Sequence, residues 1–288
     1  MQTEDKTDAP PLAKETCASC GAKLKGDYCR KCGEKKIIPE RDFSMAKFLT
    51  QTLGHLVHFD SKLLRSVWLL FSKPGFLTAE WMAGRRVNYM KPLQLFVVAG
   101  LLFYFFLPNV QAYFSTPRDL SAGFREHNML LNTFHYDFGK VLTEKARASG
   151  LEEQTLARSV AVSASQQSKT WLFCIIPLWG LLIYLFFHSK IPWLAPHLIF
   201  AMHGLIFYIL FDLSIHAILY IFGIPDIGKY IMLVLLSVLL AYQILAVRRV
   251  YGSAWPETIL KTMGLLAGFV IILLLYRQVM TIGAISAL

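Results

Sequence analysis

Apolar and polar positions fall into two regimes that meet near residue 91. Beyond it charges are so sparse that uncharged stretches reach bilayer length, about 20 mainly apolar residues for one helical crossing. Residues 92–117 carry no charge, with 93–107 as the apolar centre, and residues 170–189 carry none either. Residues 191–225 are interrupted only by Asp212, and residues 230–247 and 262–276 supply two further runs. The last reaches about 20 residues if Lys261 and Arg277 extend to the two interfaces. The pattern predicts an all-α multi-pass membrane protein of about five spans, near 92–110, 170–188, 198–222, 230–247 and 259–279. Prolines at 192, 196 and 225 suggest ends of the third span, so one long helix is expected there.

Before residue 91 the periodicity is that of one-faced helices. Phe43, Met45, Phe48, Leu49, Leu53, Leu56 and Val57 recur at helical spacing, and Leu63, Leu64, Val67, Trp68, Leu70 and Phe71 form a second run. With Lys47, Lys62, Arg65 and Lys73 alongside, residues 43–91 read as amphipathic helices in the inner headgroup layer. Lys73-Pro74-Gly75 ends the second run, and a short helix near 77–84 leads to Arg85, Arg86, Tyr89 and Lys91. Between the first two spans, Phe138, Val141, Leu142, Leu151, Leu156 and Val160 predict a small helical cap over 113–168, broken near Gly150. No internal repeat is apparent.

Composition agrees: 55% of residues are hydrophobic, 14% aromatic and only 17% charged, where a soluble domain carries about 25% charged residues. Residues 1–91 hold 16 of the 29 Lys and Arg and 10 of the 19 Asp and Glu, which makes a polar head on a lipid-soluble body. A secreted disulfide scaffold, a fibre and a disordered chain are excluded. The first forty residues contain no apolar run of signal-peptide length, so the head is expected in the cytosol. Lys190, Arg248, Arg249 and Lys261 then mark cytoplasmic loops, and an odd number of spans places the C-terminus outside.

The strongest chemical signal is Cys17-Ala18-Ser19-Cys20-Gly21 followed by Cys29-Arg30-Lys31-Cys32-Gly33. Two such turns can place four thiolates tetrahedrally around zinc, and each glycine suits the positive-φ bend that closes the turn. Four thiolates leave no position for a reacting water, so this zinc, in a ribbon over 17–36 after an N-terminal tail over 1–16 expected to be disordered, is structural. Cys174 stands apart and reads as a small buried apolar residue. Lys23, Lys25, Arg30, Lys31, Lys35 and Lys36 surround the ribbon against Asp27 and Glu34. That balance suits nucleic acid or anionic lipid, with a plainly solvated positive-inside surface as the alternative, and nucleic acid is disfavoured because Tyr28 is the head's one aromatic residue and the head is tethered at the membrane. His55, His58 and Asp60 share a helix face and are weighed as a metal or proton site against interfacial capping. Asp212 and His216 lie on one face of the third span, and an ionisable pair at that depth marks either a proton or cation site or a structural lock. Arg85, Arg86 and Lys91 are candidate lipid-phosphate contacts. Phosphate loops, nucleophile elbows and zinc-protease motifs are absent from the sequence, so no catalytic residue is named.

With Phe59-Asp60, Leu69-Leu70, Lys73-Pro74-Gly75, Glu80, Gly84-Arg85-Arg86, Tyr89 and Pro92-Leu93 behind that ribbon, residues 17–107 resemble a family of uncharacterised bacterial inner-membrane proteins. Trp81 stands where that family often has tyrosine, and Ser66 where it usually has threonine. The resemblance implies architecture, bacterial origin and the inner membrane, and transfers no activity. The expectation is a non-enzymatic docking or assembly platform. Its partners would be the bilayer together with a protein or a second copy, the latter packing along the first span near Gly100. The alternative is an ion- or proton-coupled transporter using Asp212 and His216.

Overall fold

The computed structural model describes residues 16–38, 42, 61–114, 138–150, 152, 155–156, 159, 174–223 and 229–286. The elements are α1 (Ser61–Ser72), α2 (Phe76–Met82), α3 (Pro92–Phe114), α4 (Phe138–Ser149), α5 (Cys174–Phe187), α6 (Leu194–Ile221), α7 (Lys229–Tyr251) and α8 (Trp255–Ser286). Among the described residues the remaining regular pairing is two isolated antiparallel bridges in the head, Thr16 with Lys23 and Tyr28 with Lys35. The protein is therefore all-helical behind a small cysteine-rich head.

Among the described residues three helical segments are long and apolar enough to cross a membrane: α6, residues Val234–Tyr251 of α7 and Trp255–Leu273 of α8. Shorter apolar helical stretches run over Pro92–Phe103 and Cys174–Phe187. All five coincide with the runs read from the sequence, and the chain is a membrane protein. The boundaries differ for local reasons. α6 begins at Leu194 rather than near 198, because Pro196 falls in its first turn, where a missing N–H leaves no helical hydrogen bond unmade. α8 begins at Trp255 with Pro256 next, again a first-turn proline, and continues to Ser286. In the segment after the first span, α4 runs as expected from Phe138 and stops at Gly150, whose φ is 66°. Cys174, expected to be buried, is exposed at the start of α5.

In hydrocarbon, lipid tails compete for every apolar face, so helices are held by close packing and polar ties more than by the hydrophobic effect. Both are present here. α3 packs along α6, α7 along α8, and α5 reaches α8 through Trp179, tilted against Phe269 with ring centroids 4.4 Å apart. At the end of the bundle where the start of α6 meets the end of α7, His197 Nε2 bonds the carbonyl of Ile191 and Nδ1 takes the hydroxyl proton of Tyr251 at 2.9 Å. Lys190 Nζ donates to Ser253 at 2.7 Å across the same end. Leu101, Phe105, Leu181, Leu185, Leu260 and Ile271 point outward, as lipid-facing residues do.

α1 and α2 are one-faced as their spacing predicts, but their inner face is packed into the bundle. Leu70 and Leu77 belong to the core cluster, Ser66 is fully buried, and α2 lies against α6 and α7. Leu64 and Trp68 remain exposed on the other side of α1. Thr78 bonds His203 at 2.9 Å, nine residues into α6, so the pair of helices reaches about 13 Å along it at 1.5 Å per residue. The turn between them depends on glycine. Gly75 has φ 73°, and a Cβ there would stand 2.7 Å from the carbonyl oxygen of Ala246.

Candidate metal centre and the polar sites around it

The head is built twice from one twelve-residue pattern. Residues 16–23 and 28–35 each run from one bridge partner to the other and align Cys17, Cys20, Gly21 and Lys23 with Cys29, Cys32, Gly33 and Lys35. In both halves the glycine N–H donates to the carbonyl of the first cysteine at 2.9 Å. The first cysteine N–H in turn reaches across the turn, to Ala22 in one half and Glu34 in the other, at 2.8 Å. Gly21 and Gly33 have φ of 72° and 75°, as the turns were expected to require.

This pairing brings the four sulfurs within 4.8 Å of one another, with Cys17–Cys32 and Cys20–Cys29 contacts of 3.5 Å. A tetrahedron with metal–sulfur bonds of about 2.3 Å has sulfur–sulfur edges of about 3.8 Å. The cluster therefore fits a four-coordinate ion after small adjustments. Electrostatics point the same way. The backbone N–H groups of Cys32 and Lys31 hold the Cys29 thiol down at about 6, so it ionises readily. The Glu34 backbone favours the Cys32 thiolate, yet burial and the three neighbouring thiols push it up to about 12. Ionising Cys32 beside these thiols is disfavoured, and a bound cation would offset that.

Glu34 fastens this head to the membrane body. Its Oε2 accepts from Ser19 Oγ at 2.6 Å, from the Arg86 N–H at 2.8 Å and from the Val87 N–H at 3.0 Å, and the residue is 4% exposed. One oxygen thus joins both cysteine turns to the turn that follows α2. Ile37 packs against Gly84 beside it, and Asp42, also buried, binds Lys35 at 3.0 Å and the Ile38 N–H at 2.9 Å. Nothing in the sequence singled Glu34 out, because its partners are backbone amides 52 and 53 residues away. The remaining head surface is basic: Lys23, Lys25, Arg30 and Lys31 are exposed, together with Tyr28 at 61%.

Arg85 and Arg86 both turn to protein. Glu80, itself buried, takes the Arg85 guanidinium through Nε and Nη2, which raises the Arg85 pKa. Arg86 lies over the Trp81 ring at 3.8 Å and donates to its carbonyl at 3.0 Å. Burial lowers the Arg86 pKa to about 10, against the opposing pull of Asp42 and Glu34. Lys91 is exposed.

Asp212 and His216 share a face of α6, with His216 Nδ1 3.4 Å from the Asp212 carboxylate and 2.9 Å from its backbone carbonyl. Both are partly exposed, and Asp212 lies nine residues before the Ile221 end of α6. His203, on the opposite face, is the partner of Thr78. The His55, His58 and Asp60 group lies outside the described residues. Gly100 faces open space on α3.

Residues 60–104 match a family model described as "Protein of unknown function (DUF3667)". That stretch holds α1, α2, the Lys73-Pro74-Gly75 turn, the Glu80–Arg85 pair and the receiving surface for Glu34. No curated protein and no solved structure matches the chain.

Proposed function

We infer that this chain is a non-enzymatic docking and assembly platform of the bacterial cytoplasmic membrane, with a structural zinc ion in a ribbon on the cytoplasmic side. The observation that carries the reading is the Glu34 attachment. A head that served only as a loose extension would need no buried carboxylate to set its orientation. Here the four-thiol unit is held at a set angle on the membrane body, with Lys23, Lys25, Arg30, Lys31 and Tyr28 turned away from it. Such a surface suits an acidic protein partner, since exposed charge steers encounter and an aromatic side chain supplies a contact with little entropy to lose.

Zinc is the natural ion for a closed set of four thiolates in a reducing compartment. The orientation follows from charge: Lys190, Arg248, Arg249 and Lys261 gather at the bundle end that also receives the head, and basic loops stay inside. α8 starts at that end and runs away from it, which leads the C-terminus to the periplasm. Bacterial origin rests on the resemblance of residues 17–107. The test is crosslinking capture from intact membranes, comparing the wild type with a head carrying Lys23→Glu, Lys25→Glu and Lys31→Glu. The reading predicts a discrete partner lost from the charge-reversed protein while metal content is unchanged. Equal capture by both would reject it.

The Asp212–His216 pair favours a second reading, ion- or proton-coupled transport, because an ionisable pair partly open on a span is the arrangement a relay uses.

A further inference from the structure

The ties that fasten the head to the membrane body begin beside the thiols themselves. Ser19, which donates to the Glu34 carboxylate at 2.6 Å, directly precedes Cys20, and Glu34 follows Cys32 by two residues. The main chain of Glu34 is held from within the cluster as well, because the Cys29 N–H donates to its carbonyl at 2.8 Å. A movement of Cys20 or Cys29 therefore reaches the carboxylate that accepts from Arg86 and Val87. The four thiols are unequally protected: Cys17 and Cys29 are buried, Cys32 is half-buried and Cys20 is exposed. Much of the other exposed surface of the head is basic, with Lys23, Lys25, Arg30 and Lys31 on it, and positive surroundings favour a thiolate. Cys20 Sγ lies 3.5 Å from Cys29 Sγ and Cys17 Sγ 3.5 Å from Cys32 Sγ, so each close pair joins one turn to the other. An accessible thiolate with a second thiol in contact is the arrangement that peroxides convert to a disulfide. Bonded sulfurs stand about 2.05 Å apart, so each pair closes by about 1.5 Å.

We propose that the head is an oxidant-released attachment: a hydroperoxide oxidises Cys20, Cys29 closes on it as a disulfide, zinc leaves, and the Glu34 tie to Arg86 and Val87 opens. The proposal rests on the reading of the four thiols as a zinc site. With hydrogen peroxide, the Cys20 thiolate attacks one oxygen, the O–O bond breaks, and hydroxide leaves a sulfenic acid behind. The Cys29 thiolate then attacks that sulfur, the S–S bond forms, the S–O bond breaks and a second hydroxide departs. The two sulfurs give up two electrons, the peroxide takes them, and two solvent protons turn the hydroxides into water. Zinc is left with two thiolates in place of four and is lost, and a second peroxide oxidises Cys17 and Cys32 in the same way. Drawing Cys20 onto Cys29 displaces Ser19 on one side and the N–H that holds the Glu34 carbonyl on the other. A dithiol reductant and zinc restore the attached state.

The test uses the full-length protein carrying Cys174→Ser, so that the exposed thiol outside the head takes no part, purified reduced with zinc in detergent and treated with hydrogen peroxide. Zinc release to a chromogenic chelator, disulfides by peptide mass spectrometry and hydrogen exchange of the Arg86 and Val87 amides are read on the same samples. The expected result is a Cys20–Cys29 disulfide that forms in step with zinc release, and exchange at both amides at least about tenfold faster than in the untreated protein. Dithiothreitol with added zinc should return all three readings to their starting values. Glu34→Ala should exchange those amides fast before any peroxide is added, yet still release zinc on oxidation. Retained zinc and unmodified head thiols under peroxide would overturn the proposal. Zinc release with unchanged exchange at Arg86 and Val87 would overturn the release of the head, and a first disulfide within a turn, Cys17–Cys20 or Cys29–Cys32, would overturn the assigned pair. A protein that takes up no zinc at all would reject the zinc reading and this proposal together, which sets that failure apart from the others.

Discussion

Replacing Glu34 by alanine removes three hydrogen bonds from one buried oxygen and leaves the N–H groups of Arg86 and Val87 without their acceptor. Hydrogen bonds to a charged group contribute about 1.5–3 kcal/mol each, and the three share one oxygen, so they do not add in full. Each backbone N–H left unmet in a buried site costs about 1–3 kcal/mol. Taking about 4 kcal/mol, the equilibrium between attached and detached head moves by several hundredfold. Detachment also loosens the metal site, because the same oxygen ties Ser19 of the first turn to the second, and Cys17 and Cys29 are otherwise buried at 4% and 3% exposure. The assay is the rate at which a chromogenic chelator strips zinc from the purified protein. Glu34→Ala should accelerate release by at least about tenfold and up to several hundredfold. Glu34→Gln keeps an acceptor oxygen without the charge, and should fall between the two. Lys25→Ala, on the exposed side, should not change the rate. A Glu34→Ala rate within about twofold of the wild type would refute the idea that this carboxylate fastens the head.

Three further outcomes follow from the packing. Gly75→Ala forces a left-handed backbone on a residue with a Cβ and places that Cβ against Ala246, so it should cost about 3 kcal/mol or more and show as lost yield and a lowered melting temperature; an unchanged melting curve would contradict the wedge of α1 and α2. Tyr242→Phe keeps the ring stacked on Phe207 at 3.5 Å and deletes the bond to Leu70, which should lower stability by about 1–2 kcal/mol, or a few degrees, in thermal unfolding. Asp212→Asn changes a partly exposed pair worth about 0–1 kcal/mol, so yield and melting should barely move, and proton flux in proteoliposomes should equal that of the wild type; loss of a flux would favour transport.

What the sequence made legible depended on how local each interaction is. The spacing of Cys17, Cys20, Cys29 and Cys32 lies within sixteen residues, and the turn that brings each pair together is made by its own glycine. The twelve-residue repeat is written in the same letters, but it is far shorter than a duplication of membrane spans. Charge spacing located the five apolar helices, since hydrocarbon tolerates few ionised side chains, but their ends depended on first-turn prolines such as Pro196 and Pro256. Residues 61–82 looked interfacial because an amphipathic helix presents the same pattern to a headgroup layer as to a protein groove. The contacts of Thr78 with His203 and of Leu70 with Tyr242 show that the inner face of these helices packs on the bundle. Glu34 had no signature at all, because two of its partners are backbone amides far along the chain.

The central claim is that metal in the head creates the surface a partner recognises. It is tested by crosslinking capture from intact membranes with wild type and a Cys29→Ser, Cys32→Ser variant side by side, with metal content and membrane insertion measured on the same samples. The account predicts one equivalent of zinc and a discrete crosslinked partner in the wild type, and neither in the variant, with both proteins inserted equally. Full capture by the metal-free variant would contradict it.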